Sequence, residues 1–397
     1  MLRQAVGALI IQGDAYLLVH KVKMMDGKAG IEQIEGVWDF PKGGVKAQDA
    51  SPEQAIFREL AEETGSSRYH ILHNFEEKIR FSFLPEDQLK LGFEGQETIL
   101  FLAAYEGDGS DLQPQDEEID RVCFVPRSRM LETLAHPESR AFFARHPTPY
   151  PGINALLQDL HAGAQTILGD QWVGLYLSGS LAAGAFDPQR SDIDFVIATA
   201  GELSPALVQS IAALHTQLLD QHPAWGIKLE GPYIPLQALR RYDPATAYFP
   251  SARTGGSFGV DQQGIDGIIH RSILREHGLA IAGPAPRDLV DPVPPGDLRR
   301  ASAGILQAWW LPQLQDQHRL LEREYQAYAV LTMCRILYTL TFGEVVPKPR
   351  AARWAQESLE KRWSELIERA QTWQLGDGVD DLGGTLDFIR YTLTHSV

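Results

Sequence analysis

The stretch Gly179-Ser180-Leu181-Ala182-Ala183-Gly184, followed by Ser191-Asp192-Ile193-Asp194-Phe195-Val196, decides how the second half of the chain is read. A turn of small residues comes first, and an apolar strand carrying two carboxylates follows. Side chains alternate along a strand, so Asp192 and Asp194 point to one face. Two neighbouring anions repel, and the cost grows in a dry site. A divalent cation removes that cost, and Mg²⁺ prefers carboxylate oxygens together with substrate phosphates. Gly179 and Gly184 let the backbone approach a ligand, and Ser180 and the turn amides can face a phosphate. The array suits transfer chemistry at phosphorus.

A lone Asp-x-Asp is most often a solvated turn. Here Gly-Ser, a glycine four residues after Ser180, Ser191-Asp192-Ile193-Asp194 and a strand on each side agree. This resembles the nucleotidyltransferase superfamily. The resemblance implies that Asp192 and Asp194 hold Mg²⁺ and that Gly179, Ser180 and Ser191 line the nucleotide.

Outward from this stretch, 153–168 reads as a helix, Trp172 to Ser178 as the first strand and Pro205 to Gln221 as a helix. Then comes Ile227-Lys228-Leu229-Glu230-Gly231, a strand in which Glu230 offers the third carboxylate this chemistry needs, as metal ligand or as proton acceptor. An isolated strand Glu is more often solvent-facing; its place after Asp194 and the intervening helix raises it. Leu321 to Leu340 is strongly helical, and Arg335 sits inside its apolar run. A buried Arg needs an anion, either a phosphate or an internal carboxylate. Lys348 follows Pro347 in a loop.

From about Tyr176 onward the chain is similar to the aminoglycoside adenylyltransferases of the spectinomycin/streptomycin type. The stretches Leu274 to Pro284, Asp288 to Pro294, Tyr328 to Tyr338 and Gly343-Glu344-Val345-Val346-Pro347-Lys348 carry that likeness. It implies a catalytic core joined to a C-terminal helical domain, with a drug in the cleft between them. It further implies that Glu230 is the catalytic base, that Arg335 and Lys348 contact ATP phosphates, and that Asp266 lies near ATP. Two positions depart. Asp261, after Phe258-Gly259, stands where streptomycin-accepting relatives have Trp, and Tyr325 stands where they have Asp. Glu322 and Glu324 still offer carboxylates to a cationic drug. Spectinomycin is therefore expected over streptomycin.

The first 145 residues read differently. Ala5 to Ile11 is a buried strand, Asp14 turns the chain, and Ala15 to His20 is the hairpin partner. Trp38-Asp39-Phe40-Pro41-Lys42-Gly43-Gly44 runs into a glycine loop. Ser51, Pro52 and Glu53 start a helix that Gly65 ends. Glu59, Glu62 and Glu63 share one helical face. A solvated acidic face is the bland explanation, but it leaves Gly43-Gly44 and Arg58 unexplained. The string Gly44 … Arg58-Glu59-Leu60-x-Glu62-Glu63-x-Gly65 resembles the Nudix box, a loop–helix–loop that holds Mg²⁺ or Mn²⁺ against a diphosphate. The resemblance implies that Glu59, Glu62, Glu63 and a later Glu118 are metal ligands, and points to the branch acting on dinucleoside polyphosphates or capped RNA 5′ ends. Glu118 reads equally as a plain loop acid. Ala50 replaces the box glutamate and Ser66 the final apolar residue, which weakens the expectation of hydrolysis without excluding it.

At 397 residues two or three domains are expected, and 44% hydrophobic residues supply a core for each. The expected organisation is α+β and multidomain: a Nudix α/β/α sandwich over 1–145, a Pro-rich linker over 146–155, a mixed-sheet nucleotidyltransferase core over 156–290 and a helical bundle over 291–397. A formal charge of −16 argues against a broad nucleic-acid surface. Cys123 and Cys334 alone make neither a disulfide framework nor a Cys-rich zinc site. No apolar run is long enough for a bilayer, so a cytoplasmic enzyme is expected, with a nucleotide and an antibiotic as partners. The expected reaction is transfer of AMP from ATP to a drug hydroxyl. The rival expectation is a nucleoside-polyphosphate hydrolase whose second half only binds, and a nucleotide sensor without turnover is the non-enzymatic one.

Overall fold

In the computed structural model the chain divides into two units, Met1–Gln158 and Asp159–Val397. The described residues are all but 14, 27–29, 116, 185, 374–380 and 396–397, with backbone alone at 24–26, 30–34, 86 and 128. The turn expected at Asp14 lies outside them. Residues 151–155, expected in a linker, begin the helix Pro151–Leu168.

The first unit is built on eight strands: β1 (Leu2–Gln12), β2 (Ala15–Asp26), β3 (Gly30–Asp39), β4 (Lys42–Gly44), β5 (Tyr69–Asn74), β6 (Ile79–Ser82), β7 (Gly95–Tyr105) and β8 (Ile119–Pro126). The central order is β3-β2-β1-β7-β5; β4 pairs with β1, β6 with β7 and β8 with β2. β1 and β7 run parallel over ten residue pairs, Leu2↔Gly95 to Ile11↔Ala104. Alternation sorts β1 into two cores. Val6, Ala8 and Ile10 pack with Ala55, Ile56 and Leu60 of the acidic helix Pro52–Thr64. Leu9 faces the other way, toward Phe142 and Phe143 of the helix Pro137–Arg145. A sheet buried on both faces gives the continuous apolar run at 5–10 rather than an alternating one. This is the α/β/α sandwich.

The acidic helix starts and stops as its sequence dictates. The Ser51 hydroxyl accepts from Gln54 N, Pro52 takes the first position, and Gly65 closes the helix at φ 77°.

The second unit carries β9 (Trp172–Leu177), β10 (Ile193–Thr199), β11 (Leu229–Pro235), β12 (Tyr248–Arg253), β13 (Ser257–Gln262) and β14 (Leu279–Ala282). Their order is β13-β12-β11-β10-β9-β14. Only β10 and β11 run parallel, joined through the helix Pro205–Gln221; the other pairs are antiparallel, so the sheet is mixed. Helices from Pro295 onward pack around the helix Arg323–Phe342, whose buried Ala329, Val330, Met333, Cys334 and Leu337 centre the largest apolar cluster. The fold is therefore α+β, with a sandwich, a mixed-sheet core and a C-terminal helical bundle. Among the described residues no helix is long and apolar enough to cross a membrane.

Candidate functional sites

In the second unit the parallel pairing of β10 with β11 sets Asp194 directly opposite Glu230. Neighbouring strands lie about 4.8 Å apart, so the two carboxylates share one edge. Asp192 stands one residue ahead of β10 rather than inside it. Its charge still acts on Asp194. Burial first, then Glu230, then Asp192, push the Asp194 carboxyl up to about 7. Asp192 is raised too, by burial and by Glu230, with Glu324 adding to it. Burial and neighbouring negative charge thus disfavour ionisation of Asp192 and Asp194.

The turn before β10 makes room for this. Gly179 holds φ 60°, and a Cβ there would overlap the Asp194 carboxylate. Ser180 follows in the single turn Gly179–Ala182. Ser191 works within the loop instead. Its hydroxyl accepts from Asp187 N at 3.0 Å and closes the approach to β10.

Arg335 and Lys348 face the same edge. Among the described residues neither cation has a hydrogen-bonded acidic partner, yet Asp194 acts electrostatically on both. Burial, with Arg335 beside it, brings Lys348 down to about 7. Lys348 is the first residue of the helix Lys348–Ser358 rather than part of a loop, and its Nζ sits 4.2 Å from the centre of the Tyr328 ring. Arg335 is half-buried and lines a cavity of about 500 Å³ together with Asp266, His270, Trp309, Tyr328 and Ile336. Asp266 caps the helix Gly267–His277 by position, and its side chain makes no capping bond.

Sequence reasoning missed Thr254. At the tip between β12 and β13, its hydroxyl donates to Glu230 Oε2 at 2.6 Å and also acts on Asp192. Nothing local marks it, because the contact exists only once β11 and β12 pair. The two drug-related positions are also occupied. Asp261 is gripped by Arg253 at 2.6–3.1 Å, and the Tyr325 hydroxyl accepts from Trp309 Nε1 and Gln313 Nε2, both at 3.2 Å.

In the first unit the three helix acids differ in setting. Glu59 and Glu63 are buried, and Glu62 is partly exposed. Glu63 accepts from Lys21 Nζ at 2.7 Å and from Lys42 N at 3.0 Å, while burial carries its carboxyl up to about 7. Arg58 Nη1 donates to Glu59 at 2.6 Å and to Glu62 at 3.2 Å, and Lys46 reaches Glu62 at 3.3 Å. A Cβ on Gly43 would overlap the Glu59 carboxylate, which explains the glycine there, although Gly43 and Gly44 lie in the short strand β4 rather than in the expected loop. Glu118 lies beside the entrance to β8 and adds its field at Lys21. Among the described residues no three His, Cys, Asp or Glu side chains stand ready around a common point. Near the helix acids, cationic side chains stand among the carboxylates. Ser66 is buried: its hydroxyl donates to Asp111 at 2.7 Å and accepts from Arg68 N at 3.0 Å, so the departure from an apolar residue is hydrogen-bonded.

Comparison with known proteins adds the family. Residues 1–146 match the NUDIX domain, and residues 288–395 match the aminoglycoside adenylyltransferase C-terminal domain. An aminoglycoside (3'') (9) adenylyltransferase of Escherichia coli is 35% identical over 133 residues, 32% of this chain and 47% of that protein. The chain thus spans about half the length of that curated relative. A spectinomycin 9-adenylyltransferase of Campylobacter jejuni is 26% identical over 230 residues, 55% of this chain and 84% of that protein. An RNA pyrophosphohydrolase of Gluconacetobacter diazotrophicus is 32% identical over 120 residues, 29% of this chain and 70% of that protein. The chain belongs to the Nudix family through its first unit, and its second unit is similar to aminoglycoside adenylyltransferases, whose C-terminal domain it matches.

Proposed function

We propose that the second unit transfers AMP from ATP to a hydroxyl of an aminocyclitol or aminoglycoside antibiotic, and that it confers resistance to that drug. The observation that carries this reading is the pairing of Asp194 with Glu230 beside two cations that lack an acidic hydrogen-bond partner among the described residues. Arg335 and Lys348 grip the triphosphate and offset the charge that develops on it. Asp266 lies by the nucleotide in the adjoining cavity. The acceptor hydroxyl takes the place of Thr254 against Glu230, loses its proton to that carboxylate and attacks the α-phosphorus, and pyrophosphate leaves.

Asp192 and Asp194 fit a divalent cation, Mg²⁺ in this reading. Burial and the crowding of negative charge raise both carboxyls, and a cation between them would relieve that crowding. Such a cation supplies charge neutralisation at the reacting phosphate. Spectinomycin is the favoured drug, because Asp261 and Tyr325 are both held by internal partners and neither offers a drug the ring or carboxylate expected there. Glu230→Gln tests the reading. ATP binding stays within about twofold while turnover falls on the order of 10²–10⁴-fold, the usual worth of a general base. Retained turnover removes Glu230 from its role.

The Nudix unit supports a second activity, cleavage of a nucleoside diphosphate linkage with Mg²⁺ or Mn²⁺ held by Glu59, Glu62, Glu63 and Glu118. The burial of Glu59 and Glu63 against Arg58 and Lys21 favours it over a solvated acidic face. Release of product from a dinucleoside polyphosphate or a 5′-triphosphorylated RNA measures it directly.

A further inference from the structure

We infer that Asp49 anchors the acidic helix of the Nudix unit in place of the missing carboxylate at position 50, so that the unit holds a divalent metal despite Ala50. Ala50 is exposed, and its N–H donates to Gln54 Oε1 at 2.7 Å, so the residue serves the helix start alone. The neighbouring Asp49 carboxylate is almost fully buried, at 3% side-chain exposure. It accepts Arg58 Nε at 3.0 Å on one oxygen and Arg58 Nη2 at 2.8 Å on the other, the two-pronged geometry that fixes a guanidinium in plane. Lys46 N donates to the same carboxylate at 2.7 Å, and Asp49 N returns a bond to Lys46 O at 3.0 Å. The loop that carries Asp49 is therefore itself fixed.

Arg58 spends its remaining donors on the site. Nη2 reaches Gly44 O at 3.0 Å, and Nη1 reaches Glu59 and Glu62. One planar group thus ties the end of β4, the loop before the helix and two of the candidate metal acids together. Where Asp49 pins the guanidinium decides where those two carboxylates stand. Asp49 is a positioning residue: it touches no reacting atom and acts through Arg58. Groups of this kind around a metal site are worth about 10–100-fold in metal affinity.

The test is Mn²⁺ binding by full-length protein, read by electron paramagnetic resonance. Asp192→Asn/Asp194→Asn is the parent, so that the second unit contributes no site. The parent is expected to bind Mn²⁺, and Glu59→Gln to abolish that binding. Asp49→Ala weakens it by about 10–100-fold, and Asp49→Asn, which keeps the shape and loses the charge, falls between. Thermal melting runs beside each variant. If Asp49→Ala melts out the first unit, Asp49→Asn and Arg58→Lys carry the test, with a loss of affinity clearly beyond about twofold expected in a folded protein. Affinity within twofold of the parent in folded Asp49→Ala or Asp49→Asn overturns the inference, as does a parent that binds no Mn²⁺. Neither outcome touches the transferase reading, whose site is disabled in every arm.

Discussion

Asp194 in the unfolded chain ionises near 3.8; in the folded unit it ionises only near 7. Between those values the folded protein keeps a proton that the unfolded chain has lost, so this group's contribution to stability falls as pH rises through that window. Lys348 mirrors it. From about 7 up to its ordinary 10.5 the unfolded chain carries the extra proton, and stability rises with pH. Asp194→Asn should therefore raise the melting temperature of ligand-free protein above about pH 7, with the gain vanishing below about pH 4. About 1 kcal/mol shifts a domain of this size by ~2–4 °C, so the gain is readable by calorimetry. An equal gain at both pH values contradicts a buried, repelled carboxylate. Lys348→Ala should raise the KM for ATP by roughly tenfold or more if the ammonium grips phosphate as a charged hydrogen-bond donor. An unchanged KM places Lys348 outside the nucleotide site.

Among the elements, a glycine in β4 and a glycine in the turn before β10 make room for the acids beside them. Gly43→Ala pushes a methyl into the Glu59 carboxylate, and Gly179→Ala does the same to Asp194 while also straining a positive φ. Each should abolish its own unit's activity by at least about tenfold with the other unit's left intact, since a misplaced catalytic group costs that much or more. Paired kinetics on both reactions check this. The elements were largely legible in the sequence. The acidic helix lies between Ser51 and Gly65 as its caps require, and the helix Pro205–Gln221 has the expected ends. What stayed hidden depends on pairing between distant strands or on loops. Thr254 meets Glu230 only across β11 and β12, Asp49 meets Arg58 across nine residues of loop and helix, and Lys21 of β2 reaches Glu63 on the acidic helix. Lys348 read as a loop residue because Pro347, at the N-cap in place of the usual Ser, Thr, Asp or Asn, hid the helix start.

For the whole molecule, a Nudix unit and an adenylyltransferase-like unit on one chain lead us to expect two sites with separate requirements. Glu62→Gln should remove diphosphate hydrolysis and leave drug transfer within about twofold, while Asp192→Asn should do the reverse. Loss of both activities in either variant contradicts separability. Adenylyl transfer by the second unit is checked at its source by mass spectrometry of the products after mixing the protein with ATP, Mg²⁺ and, in separate reactions, spectinomycin and streptomycin. The expected result is an AMP adduct on spectinomycin, with pyrophosphate released, and little or none on streptomycin. An efficient adduct on streptomycin contradicts the drug assignment. No adduct on either drug, while a dinucleoside polyphosphate is still cleaved, contradicts the transferase reading and moves the chain's activity to its Nudix unit.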